Sequence, residues 1–363
     1  MPLRVLILSR YHRAGASSRI RIYQYLKFLE ERGFRITVSP FFWESYQQDL
    51  YDGRRPALTS LFRAYWRRLE ILRSAKEYDL VWIEYEVLPW LPAFCERWLD
   101  AQGVPFLVDY DDAIFHRYDQ SSHFWIRYLL GGKVDFIMRK AKVVTVGNNY
   151  LRNRATNAGA TCVEVLPSAV DLKYYRPRTT EPSTGKLVIG WIGSPSTAHY
   201  LNLVRDALAE ICRLRPVKLI FVGTGPFDFA GLPVETCSWS ETTELKLLQS
   251  FDIGIMPLPD EPWERGKSGF KLIQYMACAL PVVATPVGVN QELVQPDVNG
   301  FRAETLDEWV TALLRLIDDA ELRRIFGQAG RKLVEERYCT EKIAPNLAEL
   351  LQAAASEDSV CAV

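Results

Sequence analysis

Short apolar runs alternate with helical patterns along almost the whole chain, and this alternation limits the fold more than any other feature. Candidate strands are RVLILS (4–9), RITVSP (35–40), DLVWIEY (79–85), VPFLVDY (104–110), VVTVG (143–147) and CVEVLP (162–167). A second series follows: LVIGWIG (187–193), VKLIFVG (217–223), DIGIMPL (252–258) and PVVATPV (281–287). Runs this apolar on both faces suit strands inside a parallel sheet. Helical patterns at 19–32, 199–213, 242–250, 268–279, 306–318 and 320–336 separate them, which predicts doubly wound α/β units. The series restarts after RPRTTEPSTGK (176–186), a polar segment without periodicity. The expected fold class is α/β, with two Rossmann-like doubly wound parallel-sheet domains facing across a cleft. Residues 1–170 form the first domain, 171–186 the linker and 187–340 the second domain. Residues 341–363 form a C-terminal helix that packs back on the first domain, followed by a disordered tail.

Composition narrows the class. A chain of 363 residues fits two domains of ordinary size. Lys+Arg and Asp+Glu are both 44, so no charge excess points to nucleic acid. Seven cysteines, none in a C-x-x-C pair, argue against a disulfide framework or zinc knuckle and for a reducing compartment. Four histidines, none at ligand spacing, make a histidine metal site unexpected. Met1 leads straight into RVLILS with no signal-peptide pattern, and no run of eighteen apolar residues occurs. A cytoplasmic protein is expected. One helix qualifies this. In ALTSLFRAYWRRLEILR (57–73), Leu58, Leu61, Phe62, Tyr65, Leu69 and Leu72 share a face, flanked by Arg63, Arg67, Arg68, Arg73 and Trp66. Such a helix either lies on an anionic membrane surface, on the inner face of a membrane, or packs with a solvated basic side.

Ligands of open α/β sheets bind beyond the carboxyl ends of the strands. The first such loop is SRYHRAGASSRIR (9–21). Gly15 allows close backbone approach, and Ser17 or Ser18 can cap the helix that opens near Arg19 and carries Arg21. The next is VDYDDAIFHR (108–117), where Asp109, Asp111 and Asp112 close a strand. A D-x-D triplet holds a divalent metal in some transferases, yet orienting a sugar or acceptor hydroxyl fits Asp111 and Asp112 better, and no metal site is expected. In the second series, GWIGSPSTAHYL (190–201) sets Gly193, Ser194, Ser196 and Thr197 before a helix, and FVGTGP (221–226) makes a turn with Gly223 and Gly225. Hydroxyls and free helix N–H groups cradle phosphates.

The segment EPWERGKSGFKLIQYMA (261–277) contains a GKS tripeptide at Gly266–Ser268 that looks like the end of a P-loop, but Glu261 stands where the loop needs glycine and no apolar strand leads in. Lys267 and Lys271 lie at the start of an apolar helix. Cations there oppose the helix dipole, so helix stability does not explain them, whereas a bound diphosphate does.

Together these residues resemble the group 1 (family 4) retaining glycosyltransferases of the GT-B fold. The likeness covers nearly the whole chain and is strongest over 187–340. LIFVGTGP, SFDIGIMPLPD, GFKLIQYMACALPVVATPVGVNQELV and DVNGF match successive family blocks, and RAGASSRIR and GNNYL match in the first domain. The family's two spaced glutamates fall on Gly266 and Gln274, which marks a divergent branch. The resemblance implies a nucleotide diphosphate sugar as donor substrate and no cofactor. It implies transfer to an acceptor hydroxyl with retention, by front-face attack, in glycan or polysaccharide biosynthesis. It assigns donor contacts to Gly269, Phe270, Gln274 and Glu292, with Glu264 replacing the first motif glutamate. Lys267 and Lys271 stabilise the departing phosphate, and Asp112 orients the acceptor, which is a glycan, a lipid-linked glycan or a small molecule. Two other readings stay open: a non-catalytic nucleotide-sugar-binding subunit, and a GT-B nucleotide-sugar 2-epimerase.

Overall fold

In strand β1 (Leu3–Tyr11) six consecutive residues are buried, so both faces are covered and neighbouring strands must run parallel to it. The computed structural model describes residues 2–43, 57–179, 185–229 and 231–356. Its chain divides into two compact units. Unit 1 takes the described residues of Met1–Ser168, Gly266–Ser268 and Thr340–Val363; unit 2 takes those of Ala169–Arg265 and Gly269–Cys339.

Unit 1 is a six-stranded parallel sheet. With β2 (Phe34–Phe42), β3 (Leu80–Glu84), β4 (Phe106–Tyr110), β5 (Val143–Val146) and β6 (Val163–Val165), its order is β2-β1-β3-β4-β5-β6. The C-terminal helix Thr340–Ala355 packs on β3, β4 and helix Leu26–Glu31.

Unit 2 holds β7 (Leu187–Ile192), β8 (Val217–Val222), β9 (Val234–Cys237), β10 (Ile253–Met256), β11 (Val282–Ala284) and β12 (Gly300–Arg302), ordered β12-β11-β10-β7-β8-β9. Alternation along β7 sends Val188 and Ile192 to one face and Ile189 and Trp191 to the other. The first face packs with Leu272, Ile273 and Met276 of helix Phe270–Ala277, the second with helices Arg205–Leu214 and Leu306–Asp318. The ends of helices follow local chemistry. Thr305 and Glu308 form a reciprocal capping box, and Asp319 accepts the Leu322 N–H at 2.8 Å.

All ten strands expected from the sequence are present. β9 and β12 are additional: each is short, and β9 is mostly solvent-facing, so neither carries the long apolar run that marks a central strand. The linker expectation falls partly on 180–184, and the tail on 357–363, both outside the described residues. Cys162 is disulfide-bonded, against the sequence expectation, while Cys95, Cys212, Cys237, Cys278 and Cys339 are free. Spacing along the chain does not report which thiols the fold brings together. Among the described residues no helix is long and apolar enough to cross a membrane.

Helix Leu58–Leu72 corrects the facial assignment. Its inward stripe is Ala64, Arg68 and Leu72, while Leu58, Phe62, Trp66 and Leu69 point to solvent. Arg68 was expected on the solvated side. Instead it is buried, donating to the carbonyls of Ser9 (2.7 Å) and Ser39 (3.1 Å), and burial lowers its pKa to about 9.

Candidate functional site

The carboxyl ends of β1, β3 and β4 in unit 1 converge on buried polar groups. Gly15 caps helix Ala16–Arg21, its carbonyl accepting the Arg19 N–H at 2.8 Å. Ser17 and Ser18 therefore sit inside the helix and do not cap it. Both hydroxyls reach Glu84 at the end of β3, at 2.8 and 2.5 Å, and the Arg10 N–H reaches it at 2.7 Å. Burial pushes the Glu84 carboxyl up, and these three donors offset part of that rise. Arg19 is buried as well.

Tyr85, next along the chain, has φ 66°, a left-handed conformation that bulky residues avoid. Strain of this kind persists only where surroundings impose it. Here the Tyr85 hydroxyl donates to Asp111 Oδ1 and lies 3.1 Å from Ser17 Oγ, itself 3.2 Å from Asp111. Burial and then the charge of Asp112 raise the Asp111 pKa to about 7. Asp112 is more open, and Lys267 Nζ stands 3.8 Å from its Oδ1. The Lys267 carbonyl accepts from Asn148 Nδ2 at 2.9 Å, and a side chain on Gly266 would collide with Ala113 at 2.5 Å. Thus unit 1 brings Asp111, Asp112, Lys267 and Ser17 together.

Arg21 is committed elsewhere. It forms a two-bond pair with Asp109, at 2.8 and 2.6 Å, and donates to the Leu166 carbonyl at 2.7 Å. Thr145 also donates to Asp109 at 2.5 Å, so this carboxylate's acceptors are used internally. A second enclosed network joins Glu86 to Lys133 (2.6 Å), Tyr118 (2.8 Å) and Arg10 (3.2 Å). Glu84, Tyr85, Glu86 and Asn148 were missed from the sequence. A carboxylate ending an otherwise apolar strand, as in WIEYE (82–86), is the signal that could have found the first three.

In unit 2, the ends of β7 and β8 are pressed together. A side chain on Gly223 (φ 78°) would lie 2.3 Å from the Gly193 carbonyl. The Ser194 N–H donates to Thr197 Oγ1 at 3.2 Å, and Ser194 and Ser196 hydroxyls are 2.9 Å apart, opening the 3₁₀ helix Pro195–Val204. Gly225 (φ 63°) packs toward Pro195. Gly269 (φ 67°) starts helix Phe270–Ala277 and lies against Leu293 and Val289, too close for any side chain. Phe270 is half-buried, and Lys271 Nζ stands 5.5 Å from the Trp191 ring centre. Glu264 is buried, its Oε1 taking the Tyr200 hydroxyl and its Oε2 left without a partner. Gln274 is buried too, donating to the Tyr175 hydroxyl (3.0 Å) and to Glu244 Oε1 (3.1 Å). Glu292 is exposed on the turn Asn290–Leu293.

Residues 186–319 match the family model described as glycosyl transferases group 1. A sulfoquinovosyl transferase of Arabidopsis thaliana is 25% identical over 271 residues, 66% of this chain and 51% of that protein. A GDP-mannose-dependent monoacylated alpha-(1-6)-phosphatidylinositol monomannoside mannosyltransferase of Corynebacterium glutamicum is 27% identical over 239 residues, 58% of this chain and 62% of that protein. The chain spans about half the length of the curated relatives it matches. Anabaena HepE, solved in complex with UDP-glucose, superimposes with a TM-score of 0.72 at 18% identity, covering 97% of this chain and 100% of that one. Two parallel six-stranded sheets with glycine-lined turns at their carboxyl ends, together with these matches, give the chain the GT-B fold, with the group 1 glycosyltransferase pattern carried by residues 186–319.

Proposed function

We propose that the chain transfers a glycosyl group from a nucleotide diphosphate sugar to an acceptor hydroxyl, with retention at the anomeric carbon. The observation that carries this reading is Lys271 in the first turn of helix Phe270–Ala277. A cation there opposes the helix dipole, and a diphosphate at the same N-terminus reverses the sign. The donor would sit at the carboxyl ends of β7 and β8, its phosphates on Lys271 and the turn Gly193–Thr197. Gly223 and Gly225 leave backbone room, and Glu264 Oε2 takes a sugar hydroxyl. Gln274, Gly269, Phe270 and Glu292 complete the donor side, as the family pattern implies. In a front-face displacement the charge to be stabilised builds on the departing phosphate oxygen, and fixed donors aimed there supply most of the acceleration. A lysine and helix N–H groups neutralise that charge, so the reading needs no metal or cofactor.

Unit 1 would hold the acceptor, with Asp112 receiving a hydrogen bond from the attacking hydroxyl and Lys267 holding that carboxylate in place. Asp111, Ser17, Ser18, Gly15, Arg19 and Arg21 shape this side, Arg21 indirectly through Asp109. Nucleotide-sugar chemistry is supported by the GDP-mannose-dependent relative, which acts on a phosphatidylinositol mannoside, and by HepE, solved with UDP-glucose. A glycan or lipid-linked acceptor, and a place in glycan or polysaccharide biosynthesis, follow from that likeness.

The test is a thermal-shift screen of wild type and Lys271→Ala against UDP, GDP, ADP and their sugars, with EDTA present. A ligand of the native state raises the melting temperature by mass action. One nucleotide family should stabilise the wild type without metal, and the variant should lose most of that shift. No shift at millimolar ligand would overturn the donor site. Product anomeric configuration read by proton NMR then tests retention.

A further inference from the structure

Unit 1 leaves uncovered a set of side chains that cores normally enclose. Every aromatic residue among the large apolar side chains exposed in the described structure lies in unit 1; unit 2 exposes only Leu203, Val298, Leu306 and Ile325. Scattered exposed leucines need no explanation, but a contiguous aromatic band does.

The band has two helical parts. On helix Leu58–Leu72, Leu58 (82% exposed), Phe62 (70%), Trp66 (57%) and Leu69 (40%) fall at spacings of four, four and three residues, which is one stripe. Exposed Arg63, Arg67 and Arg73 flank it. On helix Phe124–Leu130, Phe124, Trp125, Tyr128 and Leu129 are all more than half exposed, with Arg127 exposed among them. The turn after β3 connects the two. The Tyr65 hydroxyl donates to the Pro89 carbonyl at 2.6 Å, and the exposed Trp90 donates its N–H to the Tyr118 hydroxyl at 3.0 Å. Tyr118 lies in helix His116–Asp119, which packs on helix Phe124–Leu130. Exposed Leu91 and Phe94 continue the surface from Trp90.

We propose that this band docks unit 1 on an anionic phospholipid bilayer, with helices Leu58–Leu72 and Phe124–Leu130 lying in the headgroup region. Tryptophan, tyrosine and phenylalanine are the side chains that settle at that boundary, and arginines beside them meet lipid phosphates. Charge selects the bilayer over a second copy of the chain. The flanking charges on the two helices are Arg63, Arg67, Arg73 and Arg127 against the exposed Glu70, so a self-complementary dimer would set like charges face to face. With no helix among the described residues suited to crossing a membrane, the contact is interfacial. Trp90 and Leu91 lie in the turn that leaves β3, and helix Phe124–Leu130 follows β4, whose carboxyl end leads into Asp111 and Asp112.

The test is flotation of the full chain with vesicles of phosphatidylcholine alone and of an equimolar mixture of phosphatidylcholine and phosphatidylglycerol. Wild type should float with the mixed vesicles and remain largely in solution with phosphatidylcholine. Phe62→Ser/Trp66→Ser and Phe124→Ser/Trp125→Ser should each lower partitioning on the order of tenfold or more, and Arg63→Glu/Arg67→Glu should remove the preference for anionic lipid. These side chains are exposed, so melting temperatures should stay at the wild-type value, and a variant that melts early is replaced by the corresponding single substitution. Wild type that fails to float, or variants that float as well as it does, would overturn the proposal. So would light scattering that shows a dimer which Phe62→Ser/Trp66→Ser converts to monomer, since the band would then be a self-association face.

Discussion

Glu264 gives one carboxylate oxygen to the Tyr200 hydroxyl and holds the other buried with no partner. An unmade buried hydrogen bond costs about 1–3 kcal/mol, a deficit that a donor-sugar hydroxyl bound as proposed above would relieve. Glu264→Gln keeps the shape, removes a buried charge and offers an amide in its place. The expected result is a donor KM raised on the order of tenfold with a urea midpoint equal to or above wild type. A KM that does not move would show that Oε2 faces no substrate.

Asp111 makes stability depend on pH. Burial first, and the neighbouring Asp112 charge second, raise its pKa from 3.8 to about 7 in the folded chain. Between those values the folded state holds a proton here that the unfolded chain has released. Stability contributed by this group is therefore full below about pH 4 and falls as pH rises, until it levels off above about pH 7. Asp111→Asn removes this titration. The difference in urea midpoint between variant and wild type should move in the variant's favour from pH 4 to pH 7 and stay flat beyond. A difference independent of pH would place the Asp111 pKa near its ordinary value.

Arg21 and Asp109 are nearly inaccessible and joined by two hydrogen bonds. Removing one partner strands a buried charge, which costs about 3–5 kcal/mol. Arg21→Met should lose that much in urea unfolding, and Arg21→Met/Asp109→Asn should recover part of it. Equal losses in the single and double variants would mean that the stranded charge is not the cause.

What the sequence disclosed tracks what is local. The ten long apolar runs became strands, and central ones such as β1, β3, β4 and β5 are buried on both faces, while β2 and β6 at the sheet edges are only partly covered. Helix Leu58–Leu72 was legible as amphipathic, but which stripe faces inward depends on carbonyls of Ser9 and Ser39 far along the chain, which draw Arg68 in and turn Phe62 and Trp66 out. The serines after β1 were legible as polar groups at a strand end. Their partner, Glu84, lies 66 and 67 residues away, and no local pattern links them. Tyr85 at positive φ was invisible for the same reason: its conformation is imposed by Asp111 and Ser17, not by its neighbours in sequence.

Gln274 stands where the family pattern carries a glutamate, and its surroundings explain the exchange. Its amide donates to Glu244 Oε1, which also receives the Tyr175 hydroxyl, while Trp239 Nε1 donates to Glu244 Oε2 at 2.5 Å. A glutamate at 274 would set two carboxylates against each other in a buried site, losing a donor and adding a like charge. Gln274→Glu should therefore destabilise the chain by about 1–3 kcal/mol, more strongly at pH 8 than at pH 5, because protonating one carboxyl restores a donor. Glu244→Gln/Gln274→Glu swaps donor and acceptor across the same contact and should return most of the loss. Urea unfolding of the two single variants and the double variant closes the cycle. A double variant whose loss equals the sum of the single ones would show that the two side chains are not coupled, and that Glu244 is not the reason glutamine occupies this position.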